Sequence, residues 1–309
     1  TRQTRLNTPN CTASQTTRSC RGASHPDELV QRAADLRYAA LAITDRHSLA
    51  GVVRAHAAAK PLGCQLLIGA EVSPQDGSSA VLLAMNRTGY GRLARLLTVG
   101  KRRAPKGECH LAFADVAHHS ENLLACVLLN TNQPERQADE LHRWRDTFGD
   151  RCMVLAQLHR GPHDDWLLTR FQQVSQQARL PLVASNGVLY HDSERRYLHD
   201  VLAATRLGCT VSELGSNRQT NGERHLKSAT EMKRLFAACP AAVERTREVA
   251  GRCSFSLDEL KYEYPEELCP RGQTPLTWLT QLTWSGARER YPDAIPDKVR
   301  DLLEHELAL

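Results

Sequence analysis

Ala39-Ala-Leu-Ala-Ile-Thr44 is a short, continuous apolar run, and five similar runs follow it along the chain. A run of this length without polar alternation is typical of a strand that is buried on both faces. Amphipathic stretches typical of helices separate most of the runs. This alternation predicts an α/β fold with a parallel sheet or a β/α barrel. The other five runs are Gln65-Leu-Leu-Ile68, Ala80-Val-Leu-Leu-Ala84, Leu123-Leu-Ala-Cys-Val-Leu-Leu129, Met153-Val-Leu-Ala156 and Pro181-Leu-Val-Ala184.

Helical patterns lie between these strands and then dominate the end of the chain. After about Asp192 the strand pattern stops, and three prolines in 262–275 predict an extended linker. Because the last helical pattern reaches Leu309 without a capping glycine, we interpret the chain as truncated. The predicted helices cover 26–36, 49–60, 164–178, 194–204, 229–238, 241–253, 276–291 and 298–309.

The composition is that of an ordinary folded protein, with 41% hydrophobic and 24% charged residues among 309. A formal net charge of +5 is mild evidence for a polyanionic partner. The ten cysteines include no Cys-x-x-Cys pair, which argues against a zinc ribbon and against a small secreted disulfide framework. No apolar run is long enough for a membrane span, and no signal peptide is recognisable. We therefore expect a reduced, cytoplasmic protein without a membrane partner.

A series of short strings appears in one order and spacing from Arg21 almost to the last residue. Each string is a weak motif alone, but the series resembles the error-prone branch of the DNA polymerase III α-subunit family, the bacterial C family. The strings are Arg21-Gly-Ala-Ser-His-Pro-Asp-Glu-Leu29, Ala42-Ile-Thr-Asp45 with Leu49-Ala-Gly51, Ile68-Gly-Ala-Glu71, Arg102-Arg-Ala-Pro-Lys-Gly-Glu-Cys109, Ala184-Ser-Asn-Gly-Val-Leu-Tyr-His191, Glu223-Arg-His-Leu-Lys-Ser228, Phe255-Ser-Leu-Asp-Glu-Leu-Lys-Tyr-Glu-Tyr-Pro265 and Leu303-Glu-His-Glu-Leu307.

The resemblance implies a domain organisation. Residues 21–268 would form the polymerase-and-histidinol-phosphatase (PHP) domain, a distorted β/α barrel, and residues 269–309 would be a linker and the start of the polymerase palm. The catalytic carboxylates of the palm lie further along in the family, so we expect no polymerase activity from this chain alone. By resemblance, the complete enzyme would be a Mg²⁺-dependent nucleotidyltransferase for translesion synthesis and DNA repair. Its partners would be DNA, a sliding clamp and accessory repair polymerase factors.

Metal-binding members of this superfamily carry ligands that this chain has largely replaced. Their His-x-His pair corresponds to Thr12-Ala13-Ser14, and their Thr-Asp-His motif corresponds to Thr44-Asp45-Arg46. A permanent guanidinium at position 46 would oppose a cation. Their Asn-Asp-x-His motif corresponds to Asn186-Gly187-Val188-Leu189, which lacks both the carboxylate and the imidazole.

Three residues remain as candidates for a residual metal site: Asp45, Glu71 and His159. A closed zinc site usually has four ligands, so three leave the set incomplete. The alternative, which we favour, is that these are polar strand-end residues satisfied by hydrogen bonds or water. We expect no cofactor in this portion of the enzyme.

The basic stretch from Lys101 to Gly107 is a candidate for contact with a nucleic-acid backbone, because clustered cations gain from counterion release. Its charged residues are Lys101, Arg102, Arg103 and Lys106. No aromatic residues interleave with them to stack on bases. A solvated loop is the alternative.

Residues 1–20 are polar and without strand or helix pattern, so we expect an aberrant or disordered N-terminus that cannot supply the first barrel strand. A single inserted nucleotide near Cys20 is our hypothesis for this loss, since a shifted frame can restore a strand like that of the family. A genuine disordered leader is the alternative.

The sequence thus favours the N-terminal PHP portion of an error-prone polymerase, which supports the polymerase core. Two alternatives remain open. One is a free-standing, metal-dependent phosphoesterase of the same superfamily, and the other is a non-enzymatic remnant of a disrupted gene.

Overall fold

The computed structural model describes residues 10–13, 21–129, 138–261, 269–270 and 272–308. Within these ranges seven strands form one sheet in sequence order, from β1 to β7. β1 also lies beside β7, so the sheet curls towards a barrel. The strands are β1 (Asn10–Ala13), β2 (Ala40–Ile43), β3 (Gln65–Val72), β4 (Ala80–Ala84), β5 (Leu123–Leu128), β6 (Cys152–Gln157) and β7 (Leu182–Ser185).

Helices precede or follow most strands and cover the sheet. Those of the barrel are α1 (Pro26–Asp35), α2 (Val52–Leu62), α3 (Arg87–Arg102), α4 (Phe113–His118), α5 (Ala138–Phe148), α6 (Asp164–Ala178), α7 (Arg196–Leu207), α8 (Ala229–Leu235) and α9 (Pro240–Arg252). Two more helices, α10 (Pro275–Arg290) and α11 (Asp297–Ala308), follow near the end of the chain.

The sheet is parallel except at β4, which runs antiparallel to both β3 and β5. A direct loop joins β3 to β4, whereas a helix lies between the parallel neighbours β2 and β3. A parallel pair needs a crossover connection, but an antiparallel pair can be joined by a short loop. The predicted distorted β/α barrel is therefore confirmed, and reversal of β4 is its main distortion.

Both faces of the sheet are buried, as the continuous apolar runs predict. Leu41 and Ile43 of β2 belong to the large cluster under the surrounding helices, whereas Ala40 and Ala42 belong to a second cluster. Val249 of α9 packs into the second cluster. Because strand side chains alternate in direction, a strand between two apolar layers must be apolar at every position.

The six predicted strands and the predicted helices lie at or near their expected places, but three helices were missed. α3 has Leu93, Leu96 and Leu97 buried at helical spacing. Three glycines within it, which are poor helix formers, obscure this pattern in the sequence. α4 is short, and α5 follows 130–137, a stretch outside the described residues.

The expectation that residues 1–20 cannot supply a barrel strand was wrong. Asn10–Ala13 pairs in parallel with β2 through Asn10 opposite Leu41 and Ala13 opposite Ile43. Strand pairing is a main-chain interaction, so a sequence without an apolar pattern can still complete the ladder. The rest of the predicted aberrant segment, 1–9 and 14–20, lies outside the described residues.

The chain divides into two compact units, Thr1–Leu260 and Lys261–Leu309. The first holds the barrel, and the second holds α10 and α11. The division falls a few residues before the boundary at 268 that the resemblance implies. Most of the linker predicted over 262–275 lies outside the described residues. In the described ranges, no helix combines the length and apolar character that crossing a membrane requires.

Gly89 of α3 provides a test of the packing between this helix and the loop before β5. A Cβ at Gly89 would lie 2.1 Å from the main-chain oxygen of Asn122. That oxygen cannot retreat freely, because it accepts a hydrogen bond from the Met85 N–H at 3.1 Å. We predict that Gly89→Ala lowers the free energy of unfolding by about 2 kcal/mol, measured by urea denaturation.

Gly91→Ala in the same helix is the matched control. A Cβ there would meet nothing within 4 Å, so the better helix propensity of alanine should raise stability by about 0.5–1 kcal/mol. Equal effects of the two substitutions would contradict the described packing of α3.

Candidate functional site at the carboxyl ends of the strands

A cavity of about 370 Å³ opens where the strands of the barrel end. Six strands each place residues at its wall, because parallel strands end at one rim and the reversed β4 begins there. The contributors are Thr44 after β2, Glu71 of β3, Ser79 and Val81 at the start of β4, Leu128 of β5, Gln157 of β6 and Gly187 after β7. Sites of β/α barrels are usually built at this rim.

Four arginines line the cavity, namely Arg21, Arg46, Arg206 and Arg224. Among the described lining residues Glu71 is the one carboxylate, so four positive charges face one negative charge there. Arg206 lies in the last turn of α7 and is exposed, whereas the other three arginines are partly buried. The cavity therefore presents a positive surface.

Arg46 is held beside Glu71 by an extension of the β2–β3 pairing. The Glu71 N–H donates to the Asp45 carbonyl at 3.2 Å, and the His47 N–H donates to the Glu71 carbonyl at 2.8 Å. The side chains then lie within reach, with Arg46 Nε 3.8 Å from Glu71 Oε1. This contact partly neutralises the Arg46 guanidinium. Within the described part of the chain, Arg21, Arg206 and Arg224 have no such ion pair.

The arginines influence one another and the histidines near them. Burial first, and then the neighbouring Arg46 and Arg206, lowers the pKa of Arg21. Burial also lowers the pKa of Arg224, while Tyr190 and Glu71 oppose that effect. Guanidinium remains charged in proteins at neutral pH despite such shifts. The lowered pKa of Arg21 thus reflects burial and repulsion from its neighbours, and that of Arg224 reflects burial alone.

Of the three candidate metal ligands, only Glu71 is among the described residues that line this cavity. There it contacts Arg46. Asp45 is only 3% exposed. His159 follows β6, and burial with the nearby charges of Arg224 and Lys227 lowers its pKa to about 3.

A divalent cation does not fit the side chains present. Across the described ranges, no three His, Cys, Asp or Glu side chains are arranged to hold a metal ion. His47, the displaced imidazole of the second motif, uses its Nε2 to accept the Ser73 N–H at 3.0 Å. A metal site formed by Asp45, Glu71 and His159 remains a prediction from the sequence. Arg46 beside Glu71, and Arg224 and Lys227 near His159, would repel a metal ion.

Three of the five positions at which the resemblance implies a lost ligand line this same cavity. They are Arg46, Gly187 and Leu189. Gly187 has a left-handed φ of +50°, and a Cβ there would lie 2.8 Å from Gln157 Oε1. Replacing Gly187 by aspartate would therefore strain the backbone. The new side chain would also have to displace Gln157.

The predicted basic stretch lies next to the arginine-lined cavity. Lys101 and Lys106 line a second cavity of about 800 Å³, and Arg21 and Arg46 line it as well. Arg103 instead binds Asp115, with Nη1 2.5 Å from Oδ2. Arg102 is exposed at the end of α3. Nucleic-acid contact by this stretch remains a prediction.

Sequence reasoning missed Arg206 and Arg224 and did not assign Arg21 to the site. These residues are far apart in the chain, and the barrel topology alone brings them to one rim. The one available signal was Arg46, whose place in the Thr44-Asp45-Arg46 motif showed that a ligand position had become cationic.

Comparisons with known proteins agree with this architecture. Residues 13–155 match the family model described as PHP domain. The chain is 45% identical over 298 residues to an error-prone DNA polymerase of Rhodopirellula baltica, covering 93% of this chain and 26% of that protein. It is 47% identical over 290 residues to an error-prone DNA polymerase of Methylococcus capsulatus, covering 94% and 27% respectively. The chain thus spans about a quarter of the length of these curated relatives.

Solved structures show weaker likeness. A candidate metal-dependent phosphoesterase from Bifidobacterium adolescentis is 15% identical, with a TM-score of 0.43, over 59% of this chain and 87% of that chain. An amidohydrolase from Chromobacterium violaceum is 18% identical, with a TM-score of 0.39, over 58% of this chain and 86% of that chain.

The hydrogen bond from Ser73 to His47 predicts a pH dependence of stability. Burial, followed by the charges of Arg46, Arg21 and Lys101, lowers the His47 pKa from 6.5 to about 4. Between these values the unfolded chain binds more protons than the folded chain, so this group makes stability fall as pH decreases from 6.5 to 4. We predict that His47→Gln, whose amide oxygen can accept the Ser73 N–H, reduces that slope in urea denaturation.

His163→Gln replaces an exposed imidazole at the start of α6 and serves as the control. In this variant, stability should depend on pH between 4 and 6.5 as it does in the unaltered chain. An unchanged slope in His47→Gln would show that the buried imidazole is not the source of the pH dependence.

Proposed function

Because this chain carries a PHP domain and belongs by sequence with the error-prone DNA polymerases, we propose that it is the N-terminal PHP portion of such an enzyme and braces the polymerase core. The observation that carries the proposal is the identity of 45–47% across almost the whole chain. The match of residues 13–155 to the PHP domain model supports it as well.

The complete protein would join deoxynucleoside triphosphates onto a primer, with Mg²⁺ held by carboxylates of a palm domain. DNA would be its substrate, and a sliding clamp and accessory repair polymerase factors would be its partners. In this proposal the 309-residue chain contributes none of the palm carboxylates. Error-prone synthesis opposite damaged bases would be a property of the complete enzyme.

The alternative of a metal-dependent phosphoesterase finds no specific support in the cavity. Metal-assisted hydrolysis requires a cation that activates water or polarises the phosphoryl oxygen. In the described part of the chain, the arginines around Glu71 occupy the wall where such a cation would need anionic and imidazole ligands.

Primer extension tests the polymerase part of the proposal. We predict that the purified 309-residue chain adds no nucleotide to a primed template in the presence of Mg²⁺ or Mn²⁺, because our proposal assigns the palm carboxylates to another part of the complete enzyme. Synthesis that depends on the metal and survives repurification of the chain would contradict this prediction. The Methylococcus capsulatus relative serves as the positive control.

The supporting role is tested in that same relative by deleting the segment that this chain matches. We predict a lower thermal midpoint and a loss of primer extension at temperatures where the intact relative is active, because the deletion exposes surface that the barrel covers. A truncated enzyme with unchanged midpoint and activity would contradict the supporting role.

Metal content separates the proposal from the phosphoesterase alternative. After incubation with Zn²⁺ or Mn²⁺ and dialysis, we predict well below one metal ion per chain by elemental analysis and no hydrolysis of p-nitrophenyl phosphate. Stoichiometric metal together with phosphatase turnover would establish the phosphoesterase instead.

A further inference from the structure

We propose that the cavity formed by Arg21, Arg46, Arg206 and Arg224 is an anion site that binds a phosphate-class oxyanion. It occupies the rim of the barrel where metal-binding relatives hold cations. This inference concerns a ligand of the barrel itself and does not depend on whether the complete protein polymerises nucleotides.

The first argument is the uncompensated charge. Four guanidiniums and one carboxylate share the cavity wall. Among the residues with described side chains, Arg46 has an ion pair with Glu71, and Arg21, Arg206 and Arg224 have no carboxylate within 4.0 Å. Residues 1–20, which lead into Arg21, contain no Asp or Glu, so this segment cannot supply the missing negative charge.

The second argument is the unused hydrogen-bonding capacity of Arg224. Its guanidinium has five N–H donors, yet its described protein contact is a long 3.5 Å approach of Nη1 to the Gly187 carbonyl oxygen. Burial lowers its pKa, so water does not fully solvate this group. The donors that the protein does not use can donate to an oxyanion in the cavity.

The third argument is the mixture of groups around the arginines. The wall also carries the hydroxyls of Thr44 and Ser79 and the amides of Gln157, Asn217 and Gln219. Such neutral groups can donate hydrogen bonds to phosphate oxygens without adding charge. Arginine suits this ligand because its planar fork matches two phosphate oxygens at once.

The fourth argument is the continuity of positive charge into the neighbouring cavity. Arg21 and Arg46 line both cavities, and Lys101 and Lys106 line the second. Glu108, on the same wall, contacts His110 with its Oε2 3.1 Å from Nε2. A phosphate in the first cavity could thus be free inorganic phosphate, or it could end a polynucleotide whose next phosphates lie beside the lysines.

Isothermal titration at constant ionic strength tests the site with inorganic phosphate as the probe and chloride as the balancing anion. We expect saturable binding that Arg206→Gln weakens about tenfold, since one charge-assisted contact is lost. Arg206 is exposed, so this change should leave folding intact, and an unchanged thermal midpoint verifies that. Arg247→Gln removes an exposed arginine from α9, away from the cavity lining, and should leave binding unchanged.

Glu71→Gln distinguishes an anion site from a cation site without changing the shape of the side chain. Removing the carboxylate should tighten phosphate binding severalfold, because repulsion of the anion is lost. A cation site predicts the opposite, a loss of binding of Mn²⁺ with no gain for phosphate. Absence of phosphate binding, equal weakening by the two arginine variants, or weaker phosphate binding in Glu71→Gln would each overturn the proposal.

Two oligonucleotides of one sequence, with a 5′-phosphate or a 5′-hydroxyl, identify the source of the phosphate. If the 5′-phosphorylated strand binds more tightly than the 5′-hydroxyl strand and more tightly than free phosphate, the site binds a polynucleotide end. Free phosphate that binds at least as tightly as the phosphorylated strand would assign it to the free ion. Equal binding of the two strands, insensitive to Arg206→Gln, would indicate a general backbone surface and overturn the phosphate pocket.

Discussion

The excess of guanidinium over carboxylate at the rim of the barrel is the constraint on which the rest of the account depends. On the described part of the cavity wall, Glu71 is the one carboxylate beside Arg21, Arg46, Arg206 and Arg224. Like charges held at close range in a partly desolvated cavity raise the free energy of the folded state unless an opposite charge is supplied. A cation would add to that repulsion, whereas an anion would relieve it. The chemistry of the rim therefore differs from that of a metal-binding barrel although the architecture is shared.

The topology explains why this charge accumulates at one place. Parallel strands end at a common rim, and the antiparallel β4 begins there, so residues that follow or precede these strands must meet. In a metal-binding barrel the same geometry gathers imidazoles and carboxylates. Arg46, Gly187 and Leu189, which stand where the resemblance implies metal ligands, line the cavity in this chain. In our proposal the barrel supports a polymerase, and this role requires no metal at the rim.

Much of the fold was predictable because burial on both faces leaves a plain signature in the sequence. Ala80–Ala84 is apolar at each position and forms β4 with the predicted bounds. The antiparallel direction of β4 was not predictable, since an apolar run carries no information about strand polarity. β1 was missed because main-chain pairing needs no apolar pattern. The cavity was predictable only through Arg46, because the convergence of Arg21, Arg206 and Arg224 arises from the topology and leaves no local pattern.

Anomalous diffraction from crystals of this chain soaked in both tungstate and Mn²⁺ would test the central claim most directly. Tungstate is a phosphate-like oxyanion, and the two metals can be distinguished by their absorption edges. The account predicts a tungsten peak among Arg21, Arg46, Arg206 and Arg224 and no manganese peak at the rim. A manganese peak coordinated by Asp45 and Glu71, with no tungsten beside the arginines, would contradict it.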